Sequence, residues 1–108
     1  MVNQMRELIR RVSRNRILRK RLPAEFGRGV VYCSPEALLS MWKPGWQSQQ
    51  VLDLMGWAGR YVKPGMCVWD LGANQGIFSF AASARAGASG SVVAFEPDLF
   101  LIDLLRRS

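Results

Sequence analysis

The sequence of 108 residues has no histidine and only two cysteines, Cys33 and Cys67. That excludes a Cys-x-x-Cys redox pair, zinc-finger spacing and any nucleophile relay built on a histidine base. Two thiols so far apart read as the reduced cysteines of a cytosolic protein. Long apolar runs are also missing. The longest uncharged stretch, Leu71 to Ala84, is broken by Gly72, Asn74, Gln75 and Gly76, and falls short of the roughly 18 apolar residues that a membrane span needs. The first residues are interrupted by arginines and do not read as a secretory signal. What remains is 49% hydrophobic, 10% aromatic and 21% charged, the composition of a packed chain rather than a disordered one.

The formal charge of +7 is unevenly placed. Residues 1–28 hold nine Lys and Arg against Glu7 and Glu25, whereas residues 29–108 are balanced at six of each sign. The body is therefore neutral and a poor nucleic-acid surface. Within the basic arm, Met1, Val2, Met5, Leu8, Ile9 and Val12 recur at helical spacing and form one apolar stripe. The pattern slips at Ser13-Arg14-Asn15, and Pro23 ends the segment. Such a helix is open to several readings: a solvated helix packed on its own domain, contact with an anionic membrane through residues 1–22, an Arg-rich transit peptide, or nucleic-acid binding.

Residues 29–46 read as an irregular connector, with Pro35, Pro44 and Gly45 as breakers. Trp42 and Trp46 flank a Pro-Gly turn and either cap a core or clamp a flat ligand. From Gln47 to Val62 the apolar positions return at helical intervals, and Lys63-Pro64-Gly65 stops them. Met66-Cys67-Val68-Trp69-Asp70-Leu71 is apolar on both faces, as in a parallel strand covered on both sides. Gly72-Ala73-Asn74-Gln75-Gly76 follows, and Ile77, Phe80, Ala81 and Ala84 make a helical face as far as Gly87. Ser91 to Phe95 reads as a second strand, followed by Glu96-Pro97-Asp98 and a helix that Asp98 can cap. The expected fold class is α/β: a right-handed βαβ unit at the start of a doubly wound sheet, spanning 47–108 and preceded by the basic arm of 1–28.

In such a unit the turn after the first strand lies at the carboxyl end of the sheet, where ligands bind. Gly72 permits a tight turn, Asn74 tolerates a left-handed backbone, and Gly76 lets the next helix start close to the strand. Glu96 stands at the neighbouring strand tip, where a carboxylate can accept two hydrogen bonds from a ribose diol. The dinucleotide pattern G-x-G-x-x-G is not met, and no Gly-Lys-Ser/Thr follows for a phosphate loop. Asp70, just before the turn, suits a ligand with positive charge. S-adenosylmethionine combines the diol with an ammonium and a sulfonium, and has no phosphate.

Three segments, Lys63-Pro64-Gly65, Val68-Trp69-Asp70-Leu71-Gly72-Ala73-Asn74-Gln75-Gly76-Ile77-Phe78-Ser79 and Val93-Ala94-Phe95-Glu96-Pro97, resemble the FkbM-type class I S-adenosylmethionine-dependent methyltransferases. The resemblance covers roughly residues 47–108. Asn74 replaces the middle glycine of the general class I pattern, as in this subfamily. The resemblance implies a Rossmann-like fold and methyl transfer to a hydroxyl oxygen of a sugar, polyketide or related small molecule. It implies that Asp70, Gly72, Ala73, Asn74 and Gly76 line the methionine end of the cofactor, that Glu96 holds the ribose, and that Pro97 and Asp98 lie near the adenine. It names no catalytic base and no metal. A full fold of this kind has about seven strands, so the chain reads as its truncated N-terminal part, inactive alone and cytoplasmic or peripheral to a membrane. Glu36, Asp53 and Asp103 read as ordinary capping or helix-face acids. Two other classes stay open. A nicotinamide oxidoreductase would need a glycine near Ile77, and a non-enzymatic module would bind membrane or nucleic acid through its basic helix.

Overall fold

The computed structural model describes residues 1–108, an α/β chain built around two small sheets. Helix α1 (Val2–Ser13) ends where the apolar pattern slips, and Asn15 turns the chain with a left-handed φ of 59°. The helix is fastened at this end only. The Ser13 hydroxyl donates to the carbonyl of Ile9 at 2.6 Å and accepts the Trp42 indole N–H at 2.8 Å. The Asn15 N–H donates to Glu36 Oε2 at 3.1 Å. Residues 1–12 are all exposed.

Strands β1 (Leu18–Arg21) and β2 (Val30–Cys33) form an antiparallel pair, with Leu18 opposite Cys33 and Arg21 opposite Val30. The connector is thus not irregular at its start. Val30-Val31-Tyr32-Cys33 is a β-branched and aromatic run with Val31 and Cys33 buried, but four residues between Gly29 and Ser34 are too few to establish a period. Its partner is hidden in the sequence by charge. Leu18 and Lys20 are half-buried while Arg19 and Arg21 point to solvent, so a strand with long basic side chains passes for a charged arm. Leu22 and Phe26, the latter on a short 3₁₀ turn (Ala24–Phe26), are buried in the main core. Removing residues 1–22 would therefore take away a strand and part of the core as well as the helix.

After a second 3₁₀ turn (Leu39–Trp42), helix α2 (Gln49–Tyr61) buries Val51, Met55 and Ala58. The Lys63-Pro64-Gly65 stop is reinforced by the Gly65 N–H, which donates to the carbonyl of Ala86 at 2.8 Å. Next come β3 (Cys67–Leu71), α3 (Ile77–Ala86), β4 (Ser91–Phe95) and α4 (Leu99–Arg107). Strands β3 and β4 are parallel, with Cys67 opposite Ser91 and Leu71 opposite Phe95. A parallel pair needs a crossover, and α3 supplies it. Asp98 caps α4 by accepting the N–H groups of Phe100 and Leu101 at 2.9 and 3.2 Å.

A single core joins the hairpin to α2 and α3, and Val68 and Val92 pack against it from β3 and β4. The opposite face of β3 and β4 is open. Trp69 is 69% exposed and Leu71 74%, with Val93 and Phe95 exposed beside them. The Trp69 and Phe95 rings meet edge to face with centroids 6.0 Å apart. The expectation of a strand covered on both sides is thereby corrected: the apolar residues of both faces are present, but the core lies on the Val68 side alone. Helix α4 bridges the two sheets. The Tyr32 N–H donates to the Ser108 hydroxyl at 2.8 Å, and Leu104 is fully buried.

Candidate functional site

The loop between β3 and α3 is held to the tip of β4 by its own backbone. The N–H groups of Gly72 and Ala73 both donate to the carbonyl of Phe95, at 2.8 and 2.9 Å. To make that turn Gly72 takes φ 79°, Asn74 takes φ 55° and Gly76 takes φ 86°, all in the region that side chains disfavour except those of Asn and Asp. At Gly76 a second constraint applies. A Cβ there would collide with Leu105 of α4 and with Phe80, so glycine lets α3 and α4 close over the loop. Gly72 has nothing within 4 Å of its missing Cβ, and needs to be glycine for its backbone alone.

Glu96 stands directly beside this loop. Its Oε2 accepts the Asn74 N–H at 2.8 Å, and Oε1 accepts the Asp98 N–H at 3.2 Å. The acid thus has a structural task that its spacing did not announce: it pins the loop. A carboxylate has about four lone-pair positions, so each oxygen keeps one for a hydroxyl. On the other side of the loop Asp70 lies at the end of β3, where its Oδ2 accepts the Ser79 hydroxyl at 2.6 Å. Ser79 sits in the first turn of α3, whose leading N–H groups have no partners within the helix.

Asp70, Gly72, Ala73, Asn74 and Gln75 form one wall of a cavity of about 260 Å³. Leu38 and Met41 from the connector, Val51 and Leu54 from α2, and Ile77 and Phe78 from α3 supply its apolar remainder. Small-molecule pockets run from roughly 300 to 1,000 Å³, so this cavity has room for one end of a nucleoside-sized molecule rather than the whole. Glu96 does not line it. It borders a more open depression of about 580 Å³ with Ala94, Phe95, Ile102, Leu105 and Arg106. A ligand reaching both would lie across the Gly72–Asn74 bend. Pro97 is exposed on the β4–α4 link, and Asp98 Oδ1 is already engaged by the α4 cap.

Two parts of the site are not legible in the sequence. Gln75 is buried, and its Oε1 accepts the Ser34 N–H just after β2, tying the loop to the hairpin. Leu38 and Met41 roof the cavity from a segment read as a connector. Neither carries a local signal, because both act across the chain. The two tryptophans do not form a clamp. The Trp42 indole is bonded to Ser13, whereas that of Trp46 donates to the Arg21 carbonyl at 2.9 Å beneath the Lys20 ammonium. Glu36, Asp53 and Asp103 hold Asn15, Gln49 and the pair Arg106 and Arg107 respectively.

Compared with family models, curated proteins and solved structures, the chain has no match. No helix is long and apolar enough to cross a membrane.

Proposed function

We propose that residues 47–108 form the cofactor-binding part of an S-adenosylmethionine-dependent methyltransferase of the Rossmann-like class I, FkbM-type kind, acting on a hydroxyl of a small molecule such as a sugar or polyketide. One observation carries this reading. The Glu96 carboxylate at the tip of β4 is hydrogen-bonded to Asn74 in the bend that follows β3, so a diol acceptor stands beside the glycine turn, and a ligand lying across the bend would meet both. Asp70 adds negative charge at the cavity wall, fixed by Ser79, where an ammonium or sulfonium is favoured and a pyrophosphate is not.

Bound there, S-adenosylmethionine would supply an electrophilic methyl group for in-line displacement. The work left to the chain is alignment. Asp70 would hold the positively charged methionine end, Glu96 the ribose hydroxyls, and Leu38, Met41, Leu54 and Phe78 would keep water from the donor. No side chain around the cavity is placed as a general base, and removal of the acceptor proton is not assigned to this chain.

Calorimetric titration of the full chain with S-adenosylhomocysteine, S-adenosylmethionine and NAD⁺ tests the reading. Both adenosyl ligands are expected to bind with a Kd between about 10 μM and 1 mM, and NAD⁺ to give no heat. Silence from both adenosyl ligands, or tighter binding of NAD⁺, overturns it.

A further inference from the structure

We propose that α1 is a membrane-surface anchor that lies along an anionic lipid headgroup layer with its apolar stripe inserted. The starting point is a mismatch between sequence and packing. Val2, Met5, Leu8, Ile9 and Val12 occupy a sector of about 120° at roughly 100° per residue, the width of a face made to be buried. Nothing buries it. Met5 is 60% exposed and Leu8 56%, and every residue from 1 to 12 faces solvent. The helix is docked through Ser13 and Asn15 alone, to Trp42 and Glu36. Its apolar face is therefore largely open, with Ile9 the least exposed at 38%, while its base is firmly attached.

Charge selects the occupant. Arg6 and Arg11 flank the stripe on either side, Arg10 lies on the far face, and Arg14 and Arg16 follow immediately; Glu7 is the single acid among the first 16 residues. Flanking arginines with apolar stems can reach headgroup phosphates while the stripe enters the acyl boundary. Each basic residue near an anionic surface raises partitioning by roughly fivefold. An RNA or DNA partner would use the arginines and leave the stripe in water. A second copy of α1 packed stripe to stripe would bring the Arg6 and Arg11 rows of both helices together, which like charges oppose. The anionic bilayer satisfies both features at once. This inference stands apart from the cofactor reading, since it uses no residue of the loop or of β4.

Sedimentation of the full chain with vesicles tests it. Phosphatidylcholine vesicles containing about 30% phosphatidylglycerol are compared with pure phosphatidylcholine, at salt from about 0.1 to 1 M. The chain is expected to pellet with the anionic vesicles at least about tenfold more strongly at low salt, and to be released as salt rises. Met5→Asp/Leu8→Asp and Arg6→Glu/Arg11→Glu are each expected to reduce pelleting by at least about tenfold. All four side chains are exposed, so near-UV circular dichroism of the tryptophans should be unchanged in both variants. Equal pelleting on the two lipids overturns the proposal, as does pelleting that survives Met5→Asp/Leu8→Asp. So does binding to a short RNA duplex without binding to vesicles, or a dimer that this double variant dissolves.

Discussion

Replacing Glu96 separates its structural task from the ligand role proposed for it. In the folded chain its carboxylate accepts the N–H groups of Asn74 and Asp98. Hydrogen bonds to a charged group contribute about 1.5–3 kcal/mol when well sheltered. Glu96 is only half-buried and Asn74 is exposed, so about 1 kcal/mol for each is the better scale. Glu96→Ala is then expected to lower stability by about 1–2 kcal/mol, and to weaken S-adenosylhomocysteine binding ten- to hundredfold, about 1.5–3 kcal/mol, through loss of charge-assisted bonds to the ribose diol. Glu96→Gln retains an oxygen for Asn74 but turns its amide nitrogen towards the Asp98 N–H, and should cost about 1 kcal/mol of stability. It still weakens the ligand severalfold, because an amide is a poorer acceptor than a carboxylate and presents only one oxygen. Urea denaturation reads the first quantity and calorimetry the second. A dissociation constant unchanged to within twofold in both variants would refute the diol assignment and leave Glu96 as a loop pin alone.

The two loop glycines should respond differently to the same change. Gly76→Ala combines left-handed strain with the collision against Leu105 and Phe80, for about 2–5 kcal/mol, whereas Gly72→Ala meets only strain, about 1–2 kcal/mol. Thermal melting measures both, and equal losses would show that α4 does not pack as described. Among the thiols, Cys67 is exposed and Cys33 buried, so one sulfhydryl per chain should react quickly with an aromatic disulfide reagent and the other only on unfolding. Burial pushes the Cys33 thiol above its ordinary value of 9.0, against the pull of Lys20. The folded chain therefore holds that proton longer than the unfolded one. Its contribution is intact below pH 9 and is lost as pH rises beyond it, a decline that Cys33→Ala should lack in alkaline denaturation curves.

What could be read from the sequence was local. The span Ser91–Phe95, the Asp98 cap, the left-handed Asn74 and the end of α1 at Ser13 each follow from a few adjacent residues, and the folded chain has them where those residues put them. What could not be read depended on distant partners. Leu18–Arg21 looks like charge until Val30–Cys33 lies beside it. Gln75 looks like a loop residue until Ser34 reaches it. Glu96 looks like an acid for a ligand, but spacing alone does not reveal that both its oxygens are engaged by backbone N–H groups. For the same reason the open face of β3 is not legible in the sequence. A run such as Cys67-Val68-Trp69-Asp70-Leu71 records which residues can be buried, whereas burial itself requires a second layer.

That open face bears on how labour would be divided in the proposed enzyme. Everything assigned to donor binding comes from two strand tips, the loop between β3 and α3, and a roof from α2 and the connector. These parts are mutually braced by bonds from the N–H groups of Gly72, Ala73 and Asn74 to Phe95 and Glu96, and from the Ser34 N–H to Gln75. None of these bonds uses Trp69, Leu71, Val93 or Phe95 side chains, so the loop and cavity proposed for the donor are formed without any cover on the far face of the sheet. An acceptor, by contrast, must be held in line with the methyl group, and the cavity of about 260 Å³ leaves no second compartment for it. In the proposed enzyme, donor recognition and acceptor alignment would therefore be physically separable, the first resting on residues 70–98 with the roof from the connector and α2, the second on surfaces beyond the cavity.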